Sequence, residues 1–306
     1  MTDALMPQGL TVFERGWLSS NNILFLGDRA SALVDSGYSS HSEQTLNLLD
    51  AGLQGRPLDY LLNTHLHSDH CGGNAALQAY YPELQTLIPP GQAALVSRWD
   101  AEALSYLPTG QLCPAFKFEG LLLPGTEITL ADLNWQIHAA PGHDAHSLIL
   151  FEPQSRTLIS ADALWENGFG VVFPELEGEH AFDEVAATLD LIDRLAPNWV
   201  IPGHGPVFAF RSEVLIHARQ RLTAFVNNPA RHAHHAAKVL LKFKLLEEQQ
   251  LLETDLFSWA AKTSYIQLIQ HRFFMAIPMQ SWLQQLLQEL VASGVARTDG
   301  LRVYNA

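Results

Sequence analysis

The sequence predicts an α/β fold: two packed β-sheets with helices on their outer faces, followed by a small, mainly helical domain. Two successive runs of short strand-like stretches, each with helical segments around it, predict the sheets. A change to nearly continuous helical pattern from Arg211 predicts the second domain. Hydrophobic residues make up 47% of the 306 and charged residues 16%, so a substantial core can form and global disorder is excluded.

Taken in order, residues 11–15, 22–26 and 31–35 read as short strands parted by turn residues such as Gly27-Asp28. Residues 42–51 carry apolar side chains at helical spacing, and Gly52 reads as the stop. The short apolar run 59–63 suits a buried strand and breaks off at Thr64-His65. A helix over 74–81 closed by Pro82, a strand over 85–88 and a helix over 92–100 follow. Residues 103–124 are irregular and aromatic, and read as a connection over the mouth of a site. The second run places strands at 127–130, 134–139, 147–151 and 157–160, a helix at 182–195 and a last strand at 199–201.

Beyond Arg211, Gly and Pro become scarce and the charge balance shifts. Residues 1–230 hold 10 Lys/Arg and 26 Asp/Glu, while 231–306 hold 8 and 6. The boundary is placed near Asn227-Asn228-Pro229, giving domains 1–230 and 231–306. The tail reads as helices at 236–248, 253–262 and 281–293, then a two-stranded wing over 294–297 and 301–304 joined by Asp299-Gly300. Three helices and a hairpin predict a winged-helix-like module.

A net charge of −14 argues against a general nucleic-acid binder, because phosphate binding relies on Lys and Arg. The two cysteines, Cys71 and Cys113, exclude a disulfide framework and suit a reducing compartment. Residues 1–10 show neither a basic start nor a long apolar stretch, so no secretory leader is expected. No apolar run approaches the ~20 residues of a membrane span. A cytoplasmic location is the expectation.

The strongest chemical signal is Thr64-His65-Leu66-His67-Ser68-Asp69-His70-Cys71-Gly72-Gly73, directly after a predicted buried strand. Three imidazoles and a carboxylate leaving one strand end can converge on a point, and that mixture suits Zn, Fe, Mn or Ni better than Ca or Mg. Further candidate ligands stand where other predicted strands end: His143 in Pro141-Gly142-His143, Asp162 in Ser160-Ala161-Asp162, and His204 in Pro202-Gly203-His204-Gly205. Each of these alone reads as an ordinary polar turn. In this order, behind the first motif, they read as a set.

His-X-His-X-Asp-His followed by a lone His, a lone Asp and a lone His resembles the metallo-β-lactamase-fold hydrolase superfamily, over about residues 10–210. The resemblance implies a four-layer αβ/βα sandwich with the site at one edge of the two sheets. It implies that His65, His67 and His143 hold one metal, that Asp69, His70 and His204 hold a second, and that Asp162 bridges them. Asp35, in Leu33-Val34-Asp35-Ser36-Gly37, matches an early Asp-Ser/Thr-Gly turn that supports the ligand loop in that superfamily; an ordinary strand-end turn explains it equally. His146 departs from the Pro-Gly seen in many relatives and reads as a hydrogen-bonded strand-start residue or a donor to substrate. Cys71 reads as a packed neighbour of the cage, and His232, His234 and His235 as a solvated helix face.

The implied cofactors are two divalent ions, zinc first, with Fe or Mn as alternatives. Water between two dications loses a proton near neutral pH and attacks a carbonyl or phosphoryl centre, with Asp69 orienting it or shuttling a proton. His65 through Asn74 is similar to the glyoxalase II-like branch, although the basic residues that would hold glutathione are not found in the tail. Aromatics such as Trp165, Phe169, Phe173, Phe273 and Phe274 line an acyl pocket or fill the core. Three readings stay open: a binuclear hydrolase of thioesters or small esters, a phosphodiesterase or ribonuclease with the same metals, and a non-catalytic metal-stabilised regulator. The expected partner is a small-molecule substrate, with the tail as a packing or homodimerisation module.

Overall fold

A computed structural model describes residues 6–306; the first half of the segment read for a secretory leader lies outside them. The chain divides into two compact units. One comprises the chain up to Leu104 together with Leu112–Thr223, the other Ser105–Gln111 with Ala224–Ala306.

The first unit contains two six-stranded sheets, each in sequential order. The first holds β1 (Leu10–Phe13), β2 (Asn22–Leu26), β3 (Ser31–Val34), β4 (Tyr60–Leu62), β5 (Gln85–Ile88) and β6 (Gly120–Leu121). The second holds β7 (Glu127–Leu130), β8 (Leu133–Ala139), β9 (Leu148–Glu152), β10 (Thr157–Ala161), β11 (Trp199–Pro202) and β12 (Phe208–Ala209). Strands β3 to β6 run parallel, as do β10 and β11; the remaining neighbours are antiparallel.

Strand periodicity explains the layers. Ile23, Phe25, Ala32, Val34 and Leu62 point to one face of the first sheet, where they pack with Trp135, Ile137, Leu148, Leu150, Ile159 and Ile201 of the second. Their alternates Leu24, Leu33 and Leu61 point the other way and meet Leu49 and Leu53 of the helix Ser42–Leu53, and Leu77 of the helix Asn74–Tyr80. A strand buried on both faces must be apolar at consecutive positions, hence the uninterrupted runs. The helix Ala181–Leu195 buries Phe182, Val185, Leu189 and Ile192 along one stripe. The result is the expected αβ/βα sandwich.

Several local expectations need correction. Gly52 does not stop its helix. That helix runs on to Leu53 and ends at Gln54 in the left-handed region, so the true punctuation is Gln54-Gly55. Within 103–124, Ser105–Gln111 is gathered into the second unit, with a helical turn at Tyr106–Thr109, instead of forming one connection over a site.

The second unit contains the helices Pro229–Glu248, Glu253–Lys262, Ser264–Phe273 and Met279–Ala292. A three-stranded sheet joins β13 (Gln250–Leu252), β14 (Ala296–Thr298) and β15 (Arg302–Asn305), with β15 central. Sequence reading missed Ser264–Phe273 and β13. The Pro at Pro229 occupies the first helical turn, where no amide is needed, and the Asn228 side chain caps it through the Arg231 amide. His232 is buried against Phe225 instead of facing solvent, and His234 lies 2.8 Å from Glu289. No described helix is long and apolar enough to cross a membrane.

Candidate metal centre

Every predicted ligand leaves the C-terminal end of a strand or the turn after it. Asp35 follows β3, His65 follows β4, His143 follows β8, Asp162 follows β10 and His204 follows β11. Because β3 and β4 are parallel, and β10 and β11 are parallel, each pair delivers its loops to one edge of its sheet. The two edges are stitched together. The Leu148 amide donates to Thr64 O at 2.8 Å, the Asn21 amide to Gly203 O at 2.7 Å, and Asn21 Nδ2 to Pro202 O at 2.9 Å.

His67 precedes the helical turn Ser68–Cys71, which carries Asp69 and His70. That turn is held by Ser20 N donating to Asp69 O at 2.9 Å and Ser36 N donating to His70 O at 2.7 Å. Gly73 allows the close approach: a Cβ there would lie 2.6 Å from Ser36 O. Gly203 does the same on the other side, since any Cβ would overlap Asp162 Oδ1.

The seven side chains form two groups. His67 Nδ1 lies 3.1 Å from His65 Nε2 and 2.8 Å from His143 Nε2. On the other side, His204 Nε2 is 3.1 Å from Asp69 Oδ2. Asp162 faces both groups: Oδ1 is 3.5 Å from His70 Nε2, and Oδ2 is 3.3 Å from His143 Nε2 and 3.9 Å from His204 Nε2. Three triplets, His65/His67/His143, His65/His70/Asp162 and Asp69/His70/His204, each bring their donor atoms within 4.8 Å of one another.

Neighbours fix which ring nitrogen faces inward. His143 Nδ1 donates to Val171 O at 2.6 Å, leaving Nε2 with its lone pair toward the cluster. His70 Nδ1 donates to Asp35 Oδ2 at 2.7 Å, so Nε2 points at Asp162. Asp35 is itself buried and accepts from Thr64 N at 2.9 Å and Thr64 Oγ1 at 2.8 Å. Asp35 thus supports the ligand loop directly.

Electrostatics sort the same residues. Burial, with His70, His67 and His143 nearby, pushes the His65 imidazole well below the ordinary value; burial and His67 push His143 down to about 4. Burial would also lower His70, but the carboxylates of Asp35 and Asp162 outweigh it and raise that ring well above the usual range. Burial opposes ionisation of Asp162, yet His204, His70 and His143 hold its carboxyl well down. His65 and His143 as neutral imidazoles and Asp162 as a carboxylate are in the protonation states that bind metal, whereas His70 and His204, raised by their carboxylate neighbours, must give up a proton to do so.

The donor set fits a cation. Three ring nitrogens crowd one point; a hydrogen on His67 Nδ1 can satisfy only one of its two neighbours, whereas a cation accepts all three lone pairs. His70 Nε2, which points into the cluster 3.5 Å from Asp162 Oδ1, is buried without a hydrogen-bond partner among the described residues, a costly arrangement unless a further group is bound.

Three features escaped sequence reading. Asp144 lies 3.8 Å from His67 Nε2, the nitrogen facing away from the cluster, and its Oδ1 accepts from the His146 amide at 2.7 Å. A carboxylate next to a ligand histidine was the available signal. Trp17 stacks on His204 with centroids 5.4 Å apart at 12°, and meets Trp165 edge-on at 5.3 Å. Trp165 Nε1 in turn donates to Asp162 Oδ1 at 3.2 Å. Phe173 meets His67 edge-on at 5.2 Å, whereas Phe169 is core, 1% exposed. His146 is exposed with its ring against Gly91; its amide donates to Asp144, and no described hydrogen bond or ion pair joins the ring itself to the cluster.

The model of the metallo-beta-lactamase superfamily matches residues 15–204, which spans all seven residues and most of the chain. The chain belongs to the metallo-beta-lactamase superfamily. This superfamily member is 30% identical over 225 residues to a hydroxyacylglutathione hydrolase of Dechloromonas aromatica (strain RCB), covering 72% of this chain and 68% of that one. It is 28% identical over 233 residues to an acyl-coenzyme A thioesterase of Gallus gallus, covering 66% and 80%. Its fold is similar to that of a beta-lactamase domain protein from Burkholderia ambifaria, with a TM-score of 0.59 at 18% identity over 99% of this chain and 95% of the other. The superfamily member is a metal-dependent hydrolase.

Proposed function

We propose that this enzyme is a binuclear hydrolase of a thioester or related small ester. The observation that carries the reading is Asp162, whose carboxylate lies between the two donor groups, with Oδ1 3.5 Å from His70 Nε2 and Oδ2 3.3 Å from His143 Nε2 and 3.9 Å from His204 Nε2. His65, His67 and His143 would hold one divalent cation, and Asp69, His70 and His204 the other, with Asp162 between them. Zinc suits these donors, and Fe and Mn are the alternatives. The bound pair supplies Lewis acidity and a water acidified to near neutral pH.

The protein does the rest. Asp35 and Val171 O fix the orientation of His70 and His143, and Asp144 lies 3.8 Å from the outward nitrogen of His67. Asp69 is, at 15%, the most exposed carboxylate of the ligand set, which suits it to steer the attacking water and take its proton. Trp17 and Trp165 form an aromatic wall beside His204, suited to the apolar part of an ester. The two relatives named for a hydroxyacylglutathione and for an acyl-coenzyme A thioester support the substrate class.

The order helix, strand, three helices and two strands supports the winged-helix reading of the second unit. Glu253 and Asp255 against Lys262 on the helix Glu253–Lys262 favour packing or homodimerisation over nucleic-acid binding.

The test is reconstitution with zinc and with manganese, then parallel assays on a thioester, a lactone and bis-p-nitrophenyl phosphate. Thioester or lactone turnover is expected. Turnover of the phosphodiester alone would overturn the substrate assignment.

A further inference from the structure

We propose that Cys71 and Cys113 form a redox site that closes to an intramolecular disulfide when the protein meets a hydroperoxide. The chain has two cysteines, 42 positions apart, and the fold brings their sulfurs to 3.8 Å. Neither is in a disulfide. Such a meeting places the second thiol where it can trap an oxidised first one.

The two sulfurs differ in access and support. Cys71 is fully buried at the end of the turn Ser68–Cys71, and its thiol donates to His67 O at 3.3 Å. Cys113 is partly exposed and lies in an irregular stretch before β6, next to Pro114. Residues 111–118 form no helix or strand and are anchored through Leu112 N to Tyr38 Oη and Lys117 N to Gln78 Oε1, so closing the remaining gap to the S–S bond length of about 2 Å takes a local shift between these two anchors.

The chemistry balances with one named oxidant. The Cys113 sulfur attacks the O–O bond of a hydroperoxide, ROOH, giving Cys113–SOH and ROH. The Cys71 sulfur then attacks the Cys113 sulfur, an S–S bond forms and the S–O bond breaks. The Cys71 proton leaves with the hydroxyl as water. The two sulfurs together lose two electrons, which reduce the peroxide bond.

Closure has a consequence for the centre. It removes the thiol proton from His67 O and ties the turn bearing Asp69 and His70 to the 112–119 segment. Hydrolytic turnover falls on oxidation and returns on reduction. This consequence rests on the proposed hydrolase activity; the cross-link itself does not.

The experiment treats the zinc-loaded full chain with hydrogen peroxide, then counts thiols, measures intact mass and maps peptides without reduction. Expected are loss of both thiols, a mass lower by two hydrogens, a linked Cys71–Cys113 peptide, and turnover that falls several-fold and recovers with dithiothreitol. Cys113→Ser keeps a titratable Cys71 and its turnover through the same treatment; Cys113→Ala serves if the serine variant folds poorly. Persistence of both thiols, over-oxidation of Cys113 without a link, or a link only between chains overturns the site. A link that forms while turnover stays constant overturns its coupling to the centre.

Discussion

Asp35 Oδ2 accepts from His70 Nδ1 at 2.7 Å, across 35 positions of sequence, and both groups are buried. One carboxylate thereby fixes the tautomer of a candidate ligand and, through Thr64, the backbone that carries two more. Asp35→Asn keeps the shape but removes the charge. We expect it to weaken metal binding by roughly 10–100-fold, the usual cost of losing such a supporting partner. Competition with a chromogenic chelator measures this; unchanged affinity would contradict the supporting role.

His67→Ala leaves His65 and His143 without their third partner while sparing Asp69, His70 and His204. The variant should bind one equivalent of metal where the parent binds two, and lose turnover. Elemental analysis after gel filtration, paired with a thioester assay, decides it. Two retained equivalents would break the proposed grouping.

Chelation should destabilise the fold as well as silence it. Ligands that bind the native state alone stabilise by about 4 kcal/mol at a thousand times their dissociation constant. Melting curves with EDTA should therefore shift down by several degrees and recover when zinc is added back. Superimposable curves would mean that the buried imidazoles need no cation.

Trp17 is 56% exposed yet stacks on His204. Trp17→Ala should leave melting unchanged, because little buried surface is lost. It should raise KM for thioesters with apolar acyl groups more than for acetyl thioesters, with kcat less affected. A uniform change across the acyl series would assign Trp17 to ligand packing alone.

Trp135 is fully buried between the sheets, edge-on to Phe25 at 5.3 Å. Trp135→Ala should cost about 3–5 kcal/mol, enough to endanger folding. Its indole nitrogen is buried without a hydrogen-bond partner among the described residues, so Trp135→Phe sheds an unsatisfied donor. The phenylalanine variant should lose much less in urea denaturation.

The fold and the positions of the candidate ligands were legible because their signals are local. Residues 22–26 read as a strand at the observed bounds, since a strand buried on both faces writes itself as consecutive apolar residues, here Ile23 to Leu26. The turn glycines beside His143 and His204 marked strand ends in the same way. Gly52 misled because helix termination and a mid-helix glycine look alike in one sequence; Gln54 in the left-handed region ends that helix. The helix Ser264–Phe273 was missed although Tyr265, Ile266 and Ile269 form a buried stripe at helical spacing.

The sequence by itself determined which residues are candidates for the chemistry, a run of histidines and aspartates at successive strand ends, and the class of fold that presents them. Only the tertiary structure decided which of them face one another. It put His204 against Asp69 across 135 positions, Asp144 behind His67, Trp17 over His204 and Cys71 beside Cys113. The physical reason is range. Turn and strand preferences are set by a few neighbouring residues, whereas these pairs exist only after two sheets stack and their loops share an edge.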